Sequence, residues 1–296
     1  MIQADNLRKR YGALTAVDGI SFEVRSGETF GLLGPNGAGK TTTLNLLVGT
    51  LTPDGGSVSI NGETDPTNAS VRQQIGYAPQ AIALYGELTA EENLTFLGRL
   101  YGLSARQLRE RARQALDLTG LSDRRQDRVR TFSGGMKRRL NLACALIHDP
   151  PVLLLDEPTV GVDPQSRNLI FDKIEWLRQQ GRTIVYTTHY IEEAQRLCDR
   201  VAIMDHGRIL ALDTVGRLIE QHGGKSVIEA ELQEAPADPA GLPGVIEGAR
   251  FRLETDRPLE ELARLAGLGL RFRTLRLDQA DLEVVFLNLT GRRLRD

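Results

Sequence analysis

The run GPNGAGKTT at 34–42 constrains this chain more than any other stretch. Gly34, four further residues, then Gly39, Lys40 and Thr41 give the spacing of a phosphate-binding loop. Glycines let a backbone wrap an anion with successive N–H groups pointing inward. The apolar run TFGLL (29–33) leads straight into the loop and reads as a strand. Beyond the loop, Leu44, Leu47 and Val48 share one face of a helix whose positive end would meet the anion. In such a loop Lys40 would hold the outer phosphates and the Thr41 hydroxyl a Mg²⁺.

The rest of the chain supplies the sheet this unit needs. VLLL (152–155), TIVYT (183–187), VAIM (201–204) and RILAL (208–212) read as strands, with helical stretches at about 165–180 and 191–198. Such alternation implies an α/β fold, its mainly parallel sheet covered on both faces. His206-Gly207 reads as the turn of a closing hairpin. ISFEV (20–24) and SVSI (57–60) alternate apolar and polar, the latter between PDGG (53–56) and an Asn61-Gly62 turn. From about 87 to 148 the period becomes helical: Leu94, Leu97 and Tyr101 share one face, and Leu108, Ala112, Ala115 and Leu116 another. This is a helical insertion in a domain expected to span 1–222.

Composition shifts after His222-Gly223-Gly224. EAPADPAGLPG (234–244) reads as a loop between strand-like patches at 226–232 and 245–254. A helix at 258–266, an Arg-rich strand LRFRTLRL (270–277) and a helix with Leu282, Val285, Phe286 and Leu289 on one stripe follow. Residues 225–296 therefore read as a small separate α+β domain.

Charge and hydropathy narrow the partners. The 37 Lys and Arg nearly balance the 39 Asp and Glu, so no broad basic field exists and no direct nucleic-acid partner is expected. No run approaches the ~18 apolar residues that a membrane span needs. The N-terminal MIQADNLRKRYG lacks the apolar core of a secretory signal, and a cytoplasmic chain is expected. Cys144 and Cys198 have no metal-like spacing and read as inert thiols. Residues 104–139 hold eleven Arg and Lys against four acids. That is first a solvated helix surface, and second a face for lipid head groups or a membrane partner's loops.

Five further features carry candidate chemistry. VLLLDEP (152–158) ends a buried strand on two carboxylates. Asp156 suits the Mg²⁺ shell, directly or through water, and Glu157 would orient and deprotonate an attacking water. His189 closes TIVYTTH (183–189) at another strand end, where ligands of open α/β sheets collect. Gln80, in GYAPQ, stands at the junction with the helical insertion and could sense Mg²⁺ or the water. Tyr11, ahead of the first strands, is either core or a platform for a flat base, and its polar neighbours favour the platform. In TFSGGMKRRLNLACALI (131–147), Ser133 reads as an N-cap and Leu140, Ala143, Cys144 and Ile147 as the buried stripe of the following helix.

Together, in this order, these motifs resemble the ATP-binding cassette (ABC) ATPases over roughly residues 1–220. Gly34, Pro35, Asn36, Gly37, Ala38, Gly39, Lys40, Thr41 and Thr42 look like the Walker A motif, and LLLDEP like Walker B with its catalytic glutamate. Gln80 matches the Q-loop, SGGMK (133–137) the signature, GVD (161–163) the D-loop, His189 the switch histidine and Tyr11 the adenine-stacking aromatic. Met136 and Phe132 depart from the usual signature but leave its Ser-Gly-Gly unchanged. The resemblance implies a P-loop NTPase fold: a RecA-like core, an antiparallel β-subdomain and an inserted helical subdomain. It implies ATP and Mg²⁺, the latter on Thr41, Gln80 and Asp156. It also implies a head-to-tail dimer in which Ser133, Gly134, Gly135 and Asp163 meet ATP held by the other copy.

SGGMKRRL, the stretch 187–209 and the tail LEVVFLNLTGR (282–292) look most like bacterial exporter ATPases of the daunorubicin-resistance type. The expected function is then an ATP-hydrolysing subunit that drives efflux of a drug, lipid or similar molecule through a separate permease, on the cytoplasmic face of the membrane. An importer subunit is the first alternative. A soluble ABC ATPase acting on ribosomes or DNA is the second.

Overall fold

The computed structural model describes residues 1–235, 241–278, 280–292 and 294. Residues 236–240 of the expected loop at 234–244 lie outside the described residues. The chain forms two compact units, one of residues 1–215 and one beginning at Gly216.

In the first unit, β1 (Ile2–Tyr11) and β2 (Leu14–Val24) form a long hairpin, and β4 (Gly55–Ile60) pairs with the other side of β1. Tyr11 is thus the last residue of the first strand and not ahead of the strands, and Gly12 (φ 59°) opens the turn to Leu14. β3 (Thr29–Leu33) lies in a second sheet, parallel to both β7 (Thr183–Thr188) and β8 (Arg200–Asp205). β6 (Val152–Asp156) and β5 (Ile75–Ala78) extend it, and the antiparallel β9 (Arg208–Thr214) closes the order β5-β6-β7-β3-β8-β9. Every residue of β3, β6 and β7 is buried, which is why these segments are mostly apolar without alternation. His206 (φ 46°) and Gly207 (φ 76°) make the expected turn between β8 and β9.

Helix α1 (Lys40–Val48) follows β3, and the single turn α2 (Ala69–Arg72) precedes β5. The insertion comprises α3 (Ala90–Leu100), α4 (Ala105–Leu118) and α5 (Gly134–Leu146). Capping boxes start α3 (Thr89 with Glu92) and α4 (Ser104 with Gln107). Leu94, Leu140 and Ile147 are fully buried in its core, each contributing about 2 kcal/mol of transfer free energy. Cys144 lies there too, its thiol pushed up to about 12 by burial and so inert. Six of the eleven basic residues at 104–139 are tied to the protein. Arg111 pairs with Asp149, Arg124 with Asp127, Arg128 and Arg130 with Glu87, and Arg138 and Arg139 donate to backbone carbonyls. Helices α6 (Pro164–Gln179) and α7 (Ile191–Leu197) complete the unit.

The second unit has one antiparallel sheet, order β11-β12-β10-β13. Its strands are β10 (Ser226–Leu232), β11 (Val245–Glu247), β12 (Arg250–Thr255) and β13 (Phe272–Asp278). The patch at 245–254 is therefore a hairpin, turned at Gly248 (φ 63°). Along β10, Ser226, Ile228, Ala230 and Leu232 are buried while Glu229 is exposed. Leu265 of α9 (Pro258–Gly267) joins the core of this sheet. In α10 (Leu282–Thr290), Leu282, Val285 and Phe286 are fully buried. Helix α8 (Val215–His222) falls with this unit, because Asn288 of α10 donates to the His222 carbonyl at 2.8 Å. Along the sequence, the first compact unit runs to Val215. Among the described residues, no helix is long and apolar enough to cross a membrane.

Candidate active site

The parallel strands β3, β6 and β7 carry the candidate residues at their carboxyl ends. The loop after β3 turns tightly enough to exclude side chains. A Cβ on Gly34 would come within 2.2 Å of the Met204 carbonyl oxygen, and one on Gly39 (φ 103°) within 2.4 Å of that of Ala16. Gly39 starts α1 with no side-chain cap. The first N–H groups of that helix have no intrahelical acceptor, the arrangement that binds anions.

A cavity of about 380 Å³ opens above the loop, lined by Asn36, Gly37, Gly39, Lys40, Thr41, Thr42, Gln80, Glu157 and Tyr11. Tyr11 is 47% exposed, as a stacking platform must be and a core tyrosine is not. Leu14 and Ala16 of the hairpin complete the wall. Gly34 and Pro35 contribute through their carbonyls, which accept from Lys40 Nζ at 2.7 and 3.0 Å. Ala38 is buried behind the cavity, its carbonyl accepting from Gly207 N–H.

Three side chains converge on the Glu157 carboxylate. Lys40 Nζ lies 3.0 Å from Oε1, and Gln80 Nε2 donates to Oε2 at 3.0 Å. His189 Nδ1 lies 3.2 Å from Oε2, at an angle that makes no hydrogen bond. Glu157 is only 3% exposed and holds a left-handed backbone (φ 44°), rare for a residue with a side chain. Its N–H donates to Thr187 Oγ1 at 2.9 Å, and that hydroxyl donates to Asp156 Oδ1 at 2.7 Å.

Asp156 is fully buried, and burial raises its carboxyl above the ordinary carboxylate range against the opposing hydroxyls of Thr187 and Thr41. Thr41 Oγ1 donates to Oδ1 at 3.2 Å, while the buried Oδ2 has no partner among the described residues. An unpartnered carboxylate oxygen beside a threonine hydroxyl is a donor set of hard oxygens, which fits Mg²⁺.

Ser133, Gly134, Gly135 and Asp163 do not line this cavity. They lie at the starts of α5 and α6, where Gly135 packs against Asp163 and Ser166. Ser133 caps α5 by accepting from Met136 N–H at 3.2 Å, and Asp163 caps α6 by accepting from Ser166 N–H at 2.8 Å. A Cβ on Gly135 would come within 2.4 Å of Ser166 Oγ. The next turn of α5 holds the Gln80 segment: Arg138 donates to the Gln80 carbonyl, and Asn141 to that of Pro79 at 3.0 Å. Sequence reasoning missed Arg138 and Asn141, along with Thr187, Leu14 and Ala16. A hydroxyl adjacent to the end of a buried strand was the only available signal for Thr187.

The fold is that of a P-loop NTPase, and residues 17–160 match the ABC transporter family. The chain belongs to that family, as an ATP-binding, ATP-hydrolysing subunit. It is 42% identical, over the full length of both chains, to the linearmycin resistance ATP-binding protein LnrL of Bacillus subtilis (strain 168). It is 43% identical to the Nod factor export ATP-binding protein I of Ralstonia nicotianae, covering all of this chain and 95% of that one. Among solved structures, the ATP-binding subunit of an ABC transporter superposes with a TM-score of 0.69 at 32% identity, covering 75% of this chain and 93% of that one. A dimeric ATP-binding cassette in a post-hydrolysis state with ADP and Pi superposes at 0.67 and 27% identity, covering 72% and 98%.

Proposed function

We propose that this chain powers export of a drug, lipid or similar molecule through a separate membrane permease, as one half of a head-to-tail homodimer. The convergence of Lys40, Gln80 and His189 on Glu157 carries the catalytic reading. Tyr11 stacks on the base, and Lys40 with the loop N–H groups binds the phosphates. Glu157 takes a proton from a water whose oxygen attacks the terminal phosphorus. The bond to the bridging oxygen breaks, and ADP leaves with the electron pair. Gln80 and His189 hold the water and the terminal phosphate in line. Thr41, Asp156 and Gln80 would hold Mg²⁺, which when bound neutralises charge on the transferring phosphate.

Two observations support the assembly. Ser133, Gly134, Gly135 and Asp163 form a joined helix-start surface away from the cavity, which suits a half-site for a second copy. Beyond Gln80, Tyr85 and Phe96 stack edge to face at 5.1 Å and remain exposed, with Ile82 and Leu100 also exposed. That apolar group on the helical insertion suits the cytoplasmic loops of a permease. Export follows the resistance and export roles named for the relatives. The C-terminal unit is read as an accessory domain.

Glu157→Gln tests the core of the reading. It should bind ATP, accumulate as a closed dimer and hydrolyse about 10²–10⁴-fold more slowly than wild type. Hydrolysis at the wild-type rate would show that Glu157 is not the base. Co-purification from membranes tests direction: a polytopic permease alone supports export, and one that needs an external binding protein returns the importer reading.

A further inference from the structure

Glu193 stands in the first turn of α7, where an acid needs no more explanation than the helix dipole. Its setting is different. It is 2% exposed, and three hydroxyls donate to it. Thr159 Oγ1 reaches Oε1 at 2.7 Å, while Tyr186 OH and Thr188 Oγ1 reach Oε2 at 2.9 and 2.7 Å. The Arg167 Nε lies 4.0 Å away, on a side chain that is 36% exposed. Burial holds the Tyr186 phenol well above its ordinary range, so it stays a neutral donor.

The donors come from the two segments that carry the proposed chemistry. Thr159 is two residues beyond Glu157, and Thr188 immediately precedes His189. The Thr188 hydroxyl also accepts from Tyr190 N–H at 2.9 Å, so both flanks of His189 are fixed. The Thr188 carbonyl accepts from Gly34 N–H at 3.2 Å, which ties the same point to the phosphate loop. A buried carboxylate costs several kcal/mol in desolvation, and apolar packing of equal volume stabilises as well or better. What a satisfied polar network supplies instead is one fixed arrangement of the groups that share it.

We propose that Glu193 is a positioning residue for ATP hydrolysis, holding the Glu157 and His189 segments in one register against the phosphate loop. It acts through Thr159 and Thr188. The inference rests on the reading of Glu157 and His189 given above.

Steady-state kinetics on the purified full chain test it. Glu193→Gln keeps the volume but cannot accept from all three hydroxyls. It should lower kcat about tenfold or more, with KM for ATP·Mg within about twofold. Thr188→Val, nearly isosteric, should show the same split and covers the case in which Glu193→Gln folds poorly. In a His189→Ala background the path through Thr188 is already cut, so Glu193→Gln should cost clearly less than it does in the wild-type background, only the part carried through Thr159 to the Glu157 segment remaining. Wild-type kcat in Glu193→Gln overturns the proposal. So does a kcat loss matched by a raised KM and a lower melting temperature, or a full independent loss in the double variant. If His189→Ala itself keeps wild-type kcat, the reading of His189 fails and the positioning role falls with it. If His189→Ala is slow and Glu193→Gln is not, only the positioning role falls.

Discussion

His148 should make the first unit sensitive to mild acid. The ring lies parallel to Tyr101 with centroids 3.6 Å apart, and Nε2 is 3.0 Å from the Ile75 carbonyl, which can only accept. The neutral ring therefore carries its proton on Nε2, leaving Nδ1 buried without a partner among the described residues. A second proton would place an N–H where nothing accepts it. Burial accordingly depresses the ring from 6.5 to about 4, against the Ile75 carbonyl and the Asp149 carboxylate, which pull the other way. The unfolded chain protonates first, so the contribution is whole above pH ~6.5 and is lost as pH falls toward 4. At about 1.4 kcal/mol per pH unit the ceiling is near 3 kcal/mol, and partial exposure of the ring brings it to about 2 kcal/mol. His148→Gln can still donate to Ile75 and does not titrate. Urea unfolding at pH 7.5 and pH 4.5, followed by the fluorescence of the single tryptophan, Trp176 of α6, reports the first unit. Wild type should lose about 2 kcal/mol more than His148→Gln on acidification. Equal losses in the two proteins would refute the argument, since every other titrating group is common to both.

Two further substitutions test the site and the assembly. Gly34→Ala places a Cβ 2.2 Å from the Met204 carbonyl oxygen, so it should cost about 2–4 kcal/mol of stability and abolish ATP binding, and an unchanged melting temperature would contradict the close approach. Ser133→Arg should abolish hydrolysis while ATP still binds, and wild-type activity should rise more steeply than linearly with protein concentration; hydrolysis by a monomer would refute the shared site.

Much of the site was legible because phosphate chemistry restricts its residues so tightly. The loop at 34–42, the carboxylates ending β6 and the serine cap of α5 each follow from local pattern. The full length of β1, up to Tyr11, was not legible because its buried residues, Ile2, Ala4 and Leu7, lose alternation where the register shifts between Ala4 and Leu7. Glu193 was not legible, since nothing local reveals three hydroxyls arriving from β7 and the turn after β6. Arg138 looked like one more charge in a basic run until the fold placed the Gln80 carbonyl beside it. Residues that bind ligand are written in short motifs, whereas those that hold the motifs together depend on tertiary neighbours.

The grip of Arg138 and Asn141 on the Gln80 segment has a thermodynamic consequence. Ser133 lies five residues before Arg138 on the same rigid helix, about 7–8 Å along its axis. In the proposed dimer, Gln80 serves one nucleotide and Ser133 the other, so a single lever joins two binding equilibria. Any free energy by which the first ATP shifts that lever must return as a change in affinity for the second, in both directions and by the same factor. Binding to the dimer should then show a Hill coefficient above one, and Arg138→Ala should bring it toward one while leaving the residues that touch nucleotide in place.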